Sequence, residues 1–245
     1  MDISLVIPVY NEENNIGPLS DEIHETMRAT SLSYEIIFVD DGSTDGTARE
    51  LENLSGKKTV PDKASFKHCS IGPHQGKSRA LAEGFRQSSG NIVITIDGDL
   101  QDDPREIPAL IHKLNEGYDM VSGWKSDRQD PWTKIWASRL FNRVTSFVTG
   151  IPLHDFGSGF KAYRRKALSA LCFQKGMHRY LPVFVHAAGF RVAEISYHHR
   201  VRRHGKSKFG VFRIIEGAVS LVQVLWITKL ISKHSSGISV SSKEK

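Results

Sequence analysis

A doubly wound, mostly parallel α/β sheet is the fold that this 245-residue sequence predicts. Three observations point to it. Short apolar runs rich in β-branched residues recur along the first half, stretches with helical spacing separate them, and each run stops on polar turn residues. Strands that alternate with helices are covered on both faces, so they read as continuous apolar runs rather than as an inside-outside alternation.

The first run, Ile3–Val9, has no basic residues before it and ends in Tyr10-Asn11-Glu12-Glu13, which makes it a buried strand and not a leader segment. A helix is expected over 16–29, then a strand over 34–39 and a helix over 47–54 preceded by Thr44 and Asp45 as capping residues. The pattern repeats with a strand at 66–71, a helix at 78–87, a strand at 91–96 and a helix over Ile107–Asn115. Asp102-Asp103-Pro104 supplies capping side chains and a proline suited to a first helical turn. The second half is less regular: a helical stretch over 134–148, a Gly-rich turn from Asp155 to Gly159, a basic segment and a last amphipathic helix. The Ser- and Lys-rich tail from 233 onward reads as disordered. The apolar stretch 211–231 contains Arg213, Glu216, Gln223 and Lys229, so no membrane-spanning helix is expected. The expected division is a catalytic domain over 1–210, an amphipathic helix over 211–232 that either packs on the domain core or lies in the membrane interface, and the tail.

With 39% hydrophobic and 24% charged residues the chain falls outside disordered and fibrous classes. Cys69 and Cys172 match neither a disulfide framework nor a zinc spacing, and a reducing compartment is expected. The formal charge of +6 asks for an anionic partner. Much of it comes from Arg200, Arg202, Arg203, Lys206, Lys208 and Arg213, a run with no acidic residue between His198 and Arg213. No nucleic-acid-binding signature accompanies this run, so phosphate binding is preferred and nucleic acid is not expected as a partner.

In sheets of this kind the ligand lies beyond the carboxyl ends of the strands. Asp40-Asp41-Gly42-Ser43-Thr44-Asp45 follows the second strand, and its carboxylates serve either as nucleotide-pocket acceptors or as the caps of a turn. Asp97-Gly98-Asp99-Leu100-Gln101 follows the fourth. Glycine between two carboxylates permits close approach, and Asp97, Asp99 and the Gln101 amide oxygen make an oxygen-only set suited to Mg²⁺ or Mn²⁺. Asp102 stands where an EF-hand needs glycine, which excludes that motif. Gly72-Pro73-His74-Gln75-Gly76-Lys77-Ser78 is one residue short of a phosphate loop, so an ATPase reading fails, and Lys77 is left as a phosphate contact or a surface lysine.

Taken in order, Pro8-Val9-Tyr10-Asn11-Glu12, the Asp40–Asp45 run, Gly76-Lys77-Ser78, Asp97-Gly98-Asp99-Leu100-Gln101, Asp155-Phe156-Gly157-Ser158-Gly159-Phe160 and Arg202-Arg203-His204-Gly205-Lys206-Ser207-Lys208 resemble family 2 glycosyltransferases. The branch most similar is that of polyprenyl-phosphate glycosyltransferases, of the dolichyl-phosphate mannose synthase kind. The resemblance implies a GT-A nucleotide-sugar-binding fold and inverting transfer of a hexose from a nucleotide sugar to a membrane polyprenyl phosphate. The alternative is a soluble or glycan hydroxyl acceptor on the same fold. It also implies that Pro8, Tyr10, Glu12, Asp41, Lys77, Asp97 and Gly98 bind the donor, with the metal on Asp97, Asp99 and Gln101. Asp99, Asp155, Arg202 and Lys208 would serve catalysis, and Arg128, Arg139, Arg203 and Ser207 the acceptor phosphate. The chain departs from many relatives after the fifth strand, where Gly123-Trp124-Lys125 stands in place of Gly-Ser-Arg. A peripheral position at the cytoplasmic membrane face follows from such an acceptor.

Overall fold

The computed structural model describes residues 1–56, 63–127, 132–171, 173, 176–201, 223–225 and 227. Its elements run β1 (Ile3–Val9), α1 (Ile16–Arg28), β2 (Tyr34–Asp40), α2 (Thr47–Ser55), β3 (Ala64–Ser70), α3 (Lys77–Gln87), β4 (Ile92–Thr95), α4 (Ile107–Asn115), β5 (Met120–Lys125), α5 (Trp132–Thr149), β6 (Lys161–Arg164), α6 (Leu181–Ala187) and β7 (Val192–Tyr197). A short 3-10 turn, Pro104–Glu106, precedes α4, with the Asp103 carboxylate accepting from the Arg105 amide as its cap.

The seven strands form one sheet in the order β3-β2-β1-β4-β6-β5-β7. All neighbouring pairs are parallel except those that β6 makes with β4 and β5. Each strand from β1 to β4 is followed by a helix. The chain winds outward from β1 through β2 to β3, then returns to place β4 on the other side of β1. The order therefore reverses at β1, and the carboxyl ends of β2, β1 and β4 lie side by side at the point where open α/β sheets bind ligands.

Burial follows the pleat. Ile3, Leu5, Ile7 and Val9 face one core with Ile16, Leu19 and Ile23 of α1 and Leu110 and Leu114 of α4. Val6 belongs to the other core, with Ile37, Val39, Leu81 and Phe85, closed by Tyr163, Tyr180 and Phe184 from the second half of the chain. Gly84 of α3 is required by this contact, since a Cβ there would lie 2.2 Å from a Val6 methyl. The edge strand β3 is only partly buried, which accommodates Lys67 and His68.

The structure begins β3 two residues earlier than the sequence suggests and trims β4 to four residues. The last amphipathic helix lies almost wholly outside the described residues. Of it, 223–225 and 227 are helical, with Gln223 exposed and Val224 fully buried in the second core. Among the described residues no helix is long and apolar enough to cross a membrane.

Candidate active site

The tip of β1 and the tip of β2 are sewn together. The Asp41 amide donates to the Val9 carbonyl at 2.9 Å, the Asn11 amide to the Ser43 hydroxyl at 2.9 Å, and the Glu12 amide to the Thr47 hydroxyl at 2.8 Å. Asn11 holds a left-handed φ of 53°, a conformation asparagine tolerates better than most side chains. The acidic run after β2 divides its labour. Asp40 accepts from the Ser43 amide and hydroxyl, and Asp45 from the amide and hydroxyl of Thr47 at the start of α2; both carboxylates are spent on the turn. Asp41 instead reaches across to the loop between β3 and α3. Its carboxylate accepts from the Gln75 and Gly76 amides, each at 2.8 Å, and lies 2.8 Å from His74 Nδ1. The His74 ring stacks on Tyr10 with centroids 4.1 Å apart.

The β4 tip is joined to the same place. Gly98 packs against Val9 so closely that a Cβ would stand 2.6 Å from its methyl and 3.4 Å from the Pro8 carbonyl. Leu100, at φ 61°, turns the chain so that Asp97, Asp99 and Gln101 follow one another around a tight bend. The Gln101 amide donates to the Asp99 carboxylate at 3.2 Å. Gln101 Nε2 is turned to the Arg200 carbonyl at 3.2 Å, which leaves its amide oxygen on the other side. Asp102 is fully buried; it accepts from the Tyr197 hydroxyl at 2.5 Å and from the Asp97 amide at 3.2 Å.

Three lysines surround these carboxylates. Lys77, the first residue of α3, pairs directly with Asp97. Lys125 at the end of β5 lies 3.9 Å from Asp102. Lys161, fully enclosed on β6, donates to the carbonyls of Ser158 and, at 3.3 Å, Phe156, and so pins the Asp155–Gly159 turn. Burial opposes ionisation of Asp97, yet Lys77, Lys125 and Lys161 outweigh it and hold its carboxyl well below the usual range. Burial pushes the Lys161 ammonium down to about 8 against the pull of Asp155. For Lys125, burial works against the charge, but Asp102, Asp97 and Asp155 prevail and raise its pKa. The turn itself touches the β4 tip at Gly159, where a Cβ would lie 2.2 Å from an Asp97 oxygen.

Residues 4–172 match the Glycosyl transferase family 2 profile. The chain belongs to that family. Among its relatives, the undecaprenyl-phosphate 4-deoxy-4-formamido-L-arabinose transferase of Yersinia pestis (strain Pestoides F) is 35% identical over 228 residues, covering 93% of this chain and 68% of that one. The enzyme of the same name from Pseudomonas fluorescens (strain SBW25) is 34% identical, covering 93% and 66%. The glucosyl-3-phosphoglycerate synthase of Mycobacterium tuberculosis, crystallised with Mn²⁺, UDP-glucose and phosphoglyceric acid, superposes with a TM-score of 0.68 at 21% identity, covering 91% of this chain and 79% of that one. This family 2 glycosyltransferase therefore has the GT-A fold.

Of the residues singled out by sequence, Tyr10, Asp41, Lys77, Asp97, Gly98, Asp99 and Gln101 sit at the adjoining tips of β2, β1 and β4 or at the start of α3, with the Pro8 carbonyl beneath Gly98. Glu12 is turned toward α1, accepting from Asn15 Nδ2 at 2.6 Å. Asp155 is buried and caps its own turn, accepting from the Gly157 amide at 2.9 Å, while the Glu194 carboxylate holds its amide at 2.9 Å. Arg139 lies exposed on α5. Arg128, Arg202, Arg203, Ser207 and Lys208 lie outside the described residues. Sequence reasoning left Lys161, Asp102, Tyr197 and His74 out of the site. Only Lys161 carried a signal, a lone charge in the apolar run Phe160-Lys161-Ala162-Tyr163.

Proposed function

We propose that this family 2 glycosyltransferase moves a sugar, with inversion, from a nucleoside diphosphate sugar to a membrane polyprenyl phosphate. The observation that carries the donor half is the junction of Tyr10, Asp41 and Asp97 at the reversal point of the sheet, with three lysines close to the acidic tip of β4. Tyr10 and Asp41 offer an aromatic face and a hydrogen-bond acceptor, the two elements that hold a nucleobase. Lys77 stands at the amino end of α3, where backbone dipole and side chain together favour a diphosphate.

The oxygen-only donor set Asp97, Asp99 and Gln101 fits Mg²⁺ or Mn²⁺. When bound, such a cation screens the charge that grows on the departing nucleoside diphosphate. The chain's own contribution is electrostatic. Lys77, Lys125 and Lys161 place fixed positive charge close to the leaving group in a largely buried setting, where it acts more strongly than in water. A phosphomonoester acceptor has a second pKa of about 6 and attacks already deprotonated, so no strong base is required. Asp155, fixed by the Gly157 and Glu194 contacts, holds the turn whose Gly159 borders Asp97, and so positions the β4 tip. An oxygen of the acceptor phosphate bonds to the anomeric carbon of the sugar from the side opposite the diphosphate, which leaves with the bonding pair.

The acceptor half is supported by the relatives' acceptor and by α5. This helix is inside out: polar Asn142 and Thr145 are buried, while Trp136, Leu140, Val144, Phe147 and Val148 are exposed, Phe147 by 89%. Exposed Arg139 and Arg143 border the apolar stripe, and the helix carries no acidic residue. An apolar, aromatic and basic surface of this kind suits the interface of an anionic bilayer. The protein accordingly works as a peripheral enzyme at the cytoplasmic membrane face. The experiment is a donor screen with Mn²⁺ or Mg²⁺ and a short polyprenyl phosphate, spanning UDP- and GDP-hexoses and 4-amino-pentose donors, read as released nucleoside diphosphate. Asp99→Ala should abolish release while leaving thermal unfolding within a few degrees of wild type; full activity of that variant in chelator would overturn the site. Turnover with a soluble hydroxyl acceptor and none with lipid phosphate would replace the acceptor.

A further inference from the structure

Resting on the nucleoside pocket just proposed, we infer that His74 is a built-in stand-in for the nucleobase: its imidazole takes the Tyr10 face and the Asp41 edge, and it leaves both when a base arrives. The stack supplies the first argument. Centroids 4.1 Å apart at an interplanar angle of 27° put the two rings in direct contact. Slotting a base between them would need flanking rings about 7 Å apart, so no base reaches this face of Tyr10 while the imidazole stays. The second argument is the shared acceptor. His74 Nδ1 lies 2.8 Å from Asp41 Oδ2 and 3.3 Å from the Asp41 carbonyl, a network that assigns its proton to Nδ1. A ring N–H of a base offers the same donor to the same oxygen.

Only the side chain has to move. The backbone on either side of His74 is fixed: the Gln75 and Gly76 amides are bonded to Asp41, and Gly42 lies so near that a Cβ on it would meet the Gly72 carbonyl at 2.2 Å and the His74 amide at 2.8 Å. The imidazole itself is 52% exposed, and its route to solvent is open. Exchange is thus a side-chain rotation on a rigid loop, fast on the scale of ligand binding. The consequence is a discount on affinity. Base-bearing ligands displace a ring already stacked and hydrogen-bonded, whereas a bare diphosphate does not.

Titration calorimetry of the full chain with UDP, GDP and inorganic pyrophosphate, each with Mn²⁺, tests this. His74→Ala should bind UDP or GDP about five- to tenfold more tightly than wild type and pyrophosphate equally well. His74→Phe, which keeps a ring on Tyr10, should bind nucleotides less tightly than His74→Ala. Unchanged or weaker nucleotide binding by His74→Ala would overturn the inference and make His74 a platform that the base rests on. Tighter pyrophosphate binding by the same variant would also overturn it. Wild-type protein that binds neither UDP nor GDP would instead remove the donor reading itself.

Discussion

Gly159 touches the Asp97 carboxylate, and that contact sets the sharpest expectation for a single atom. Gly159→Ala would drive a methyl into the carboxylate of the β4 tip, so either the turn or Asp97 must shift. We expect transfer to fall at least tenfold, with a stability loss of about 1–3 kcal/mol, measured by steady-state turnover and urea unfolding. Gly157→Ala is the control, because its Cβ would meet nothing nearer than 3.5 Å. At this scale the sequence was legible wherever a residue type stood at a strand end. It was not legible in the acidic run after β2. Asp40, Asp41 and Asp45 are chemically alike, and only the fold decides that two cap a turn while Asp41 reaches the His74 loop. Lys161 and Asp102 escaped for a related reason: their partners are backbone carbonyls of the preceding turn, which carry no side-chain signal, and a tyrosine brought in from β7.

Among the elements, β2 carries a buried charge that the reading of an apolar strand passes over. Glu35 is enclosed and accepts from Ser4 on β1 at 2.6 Å, from the Ser89 amide at 2.6 Å and from Lys67 on β3 at 2.6 Å. Burial alone would raise its pKa; the Lys67, Ser4 and Ser89 hydrogen bonds reverse this and bring it to about 2. A carboxylate depressed in the folded state adds stability above its unfolded value near 4.5, and that stability is lost as pH falls from there toward 2. The contribution is about 3 kcal/mol, and Glu35→Gln should flatten the pH dependence of urea unfolding in that window. In α5 the helical period was legible over 134–148, but its orientation was not: the buried stripe holds Asn142 and Thr145, because the Phe156 amide of the turn donates to Asn142 Oδ1 at 3.3 Å. Leu140→Asp with Phe147→Asp should cut sedimentation with anionic vesicles at least tenfold and spare turnover of a water-soluble short-chain acceptor.

Across the whole molecule, the strand-helix rhythm of the first half announced the doubly wound parallel sheet, while the reversal at β1 is fixed by the strand order, which the rhythm does not carry. The antiparallel β6 and the distant β7 did not show, since a four-residue strand and one with mixed burial carry little periodicity. Yet these late strands deliver Lys161 and Tyr197 to the acidic tip, so the site is completed by the half of the chain that was harder to read. The proposed activity requires the β1, β2 and β4 tips to converge around one bound donor. The most direct measurement is amide NMR of the full chain titrated with a nucleoside diphosphate and Mg²⁺. Resonances of Tyr10, Asp41 and Gly76 should shift with the nucleotide in Mg²⁺, and on replacing Mg²⁺ by trace Mn²⁺ those of Gly98 to Gln101 should broaden most as the paramagnetic ion settles there. Nucleotide shifts at the first group with Mn²⁺ broadening confined to some other part of the sheet would contradict it.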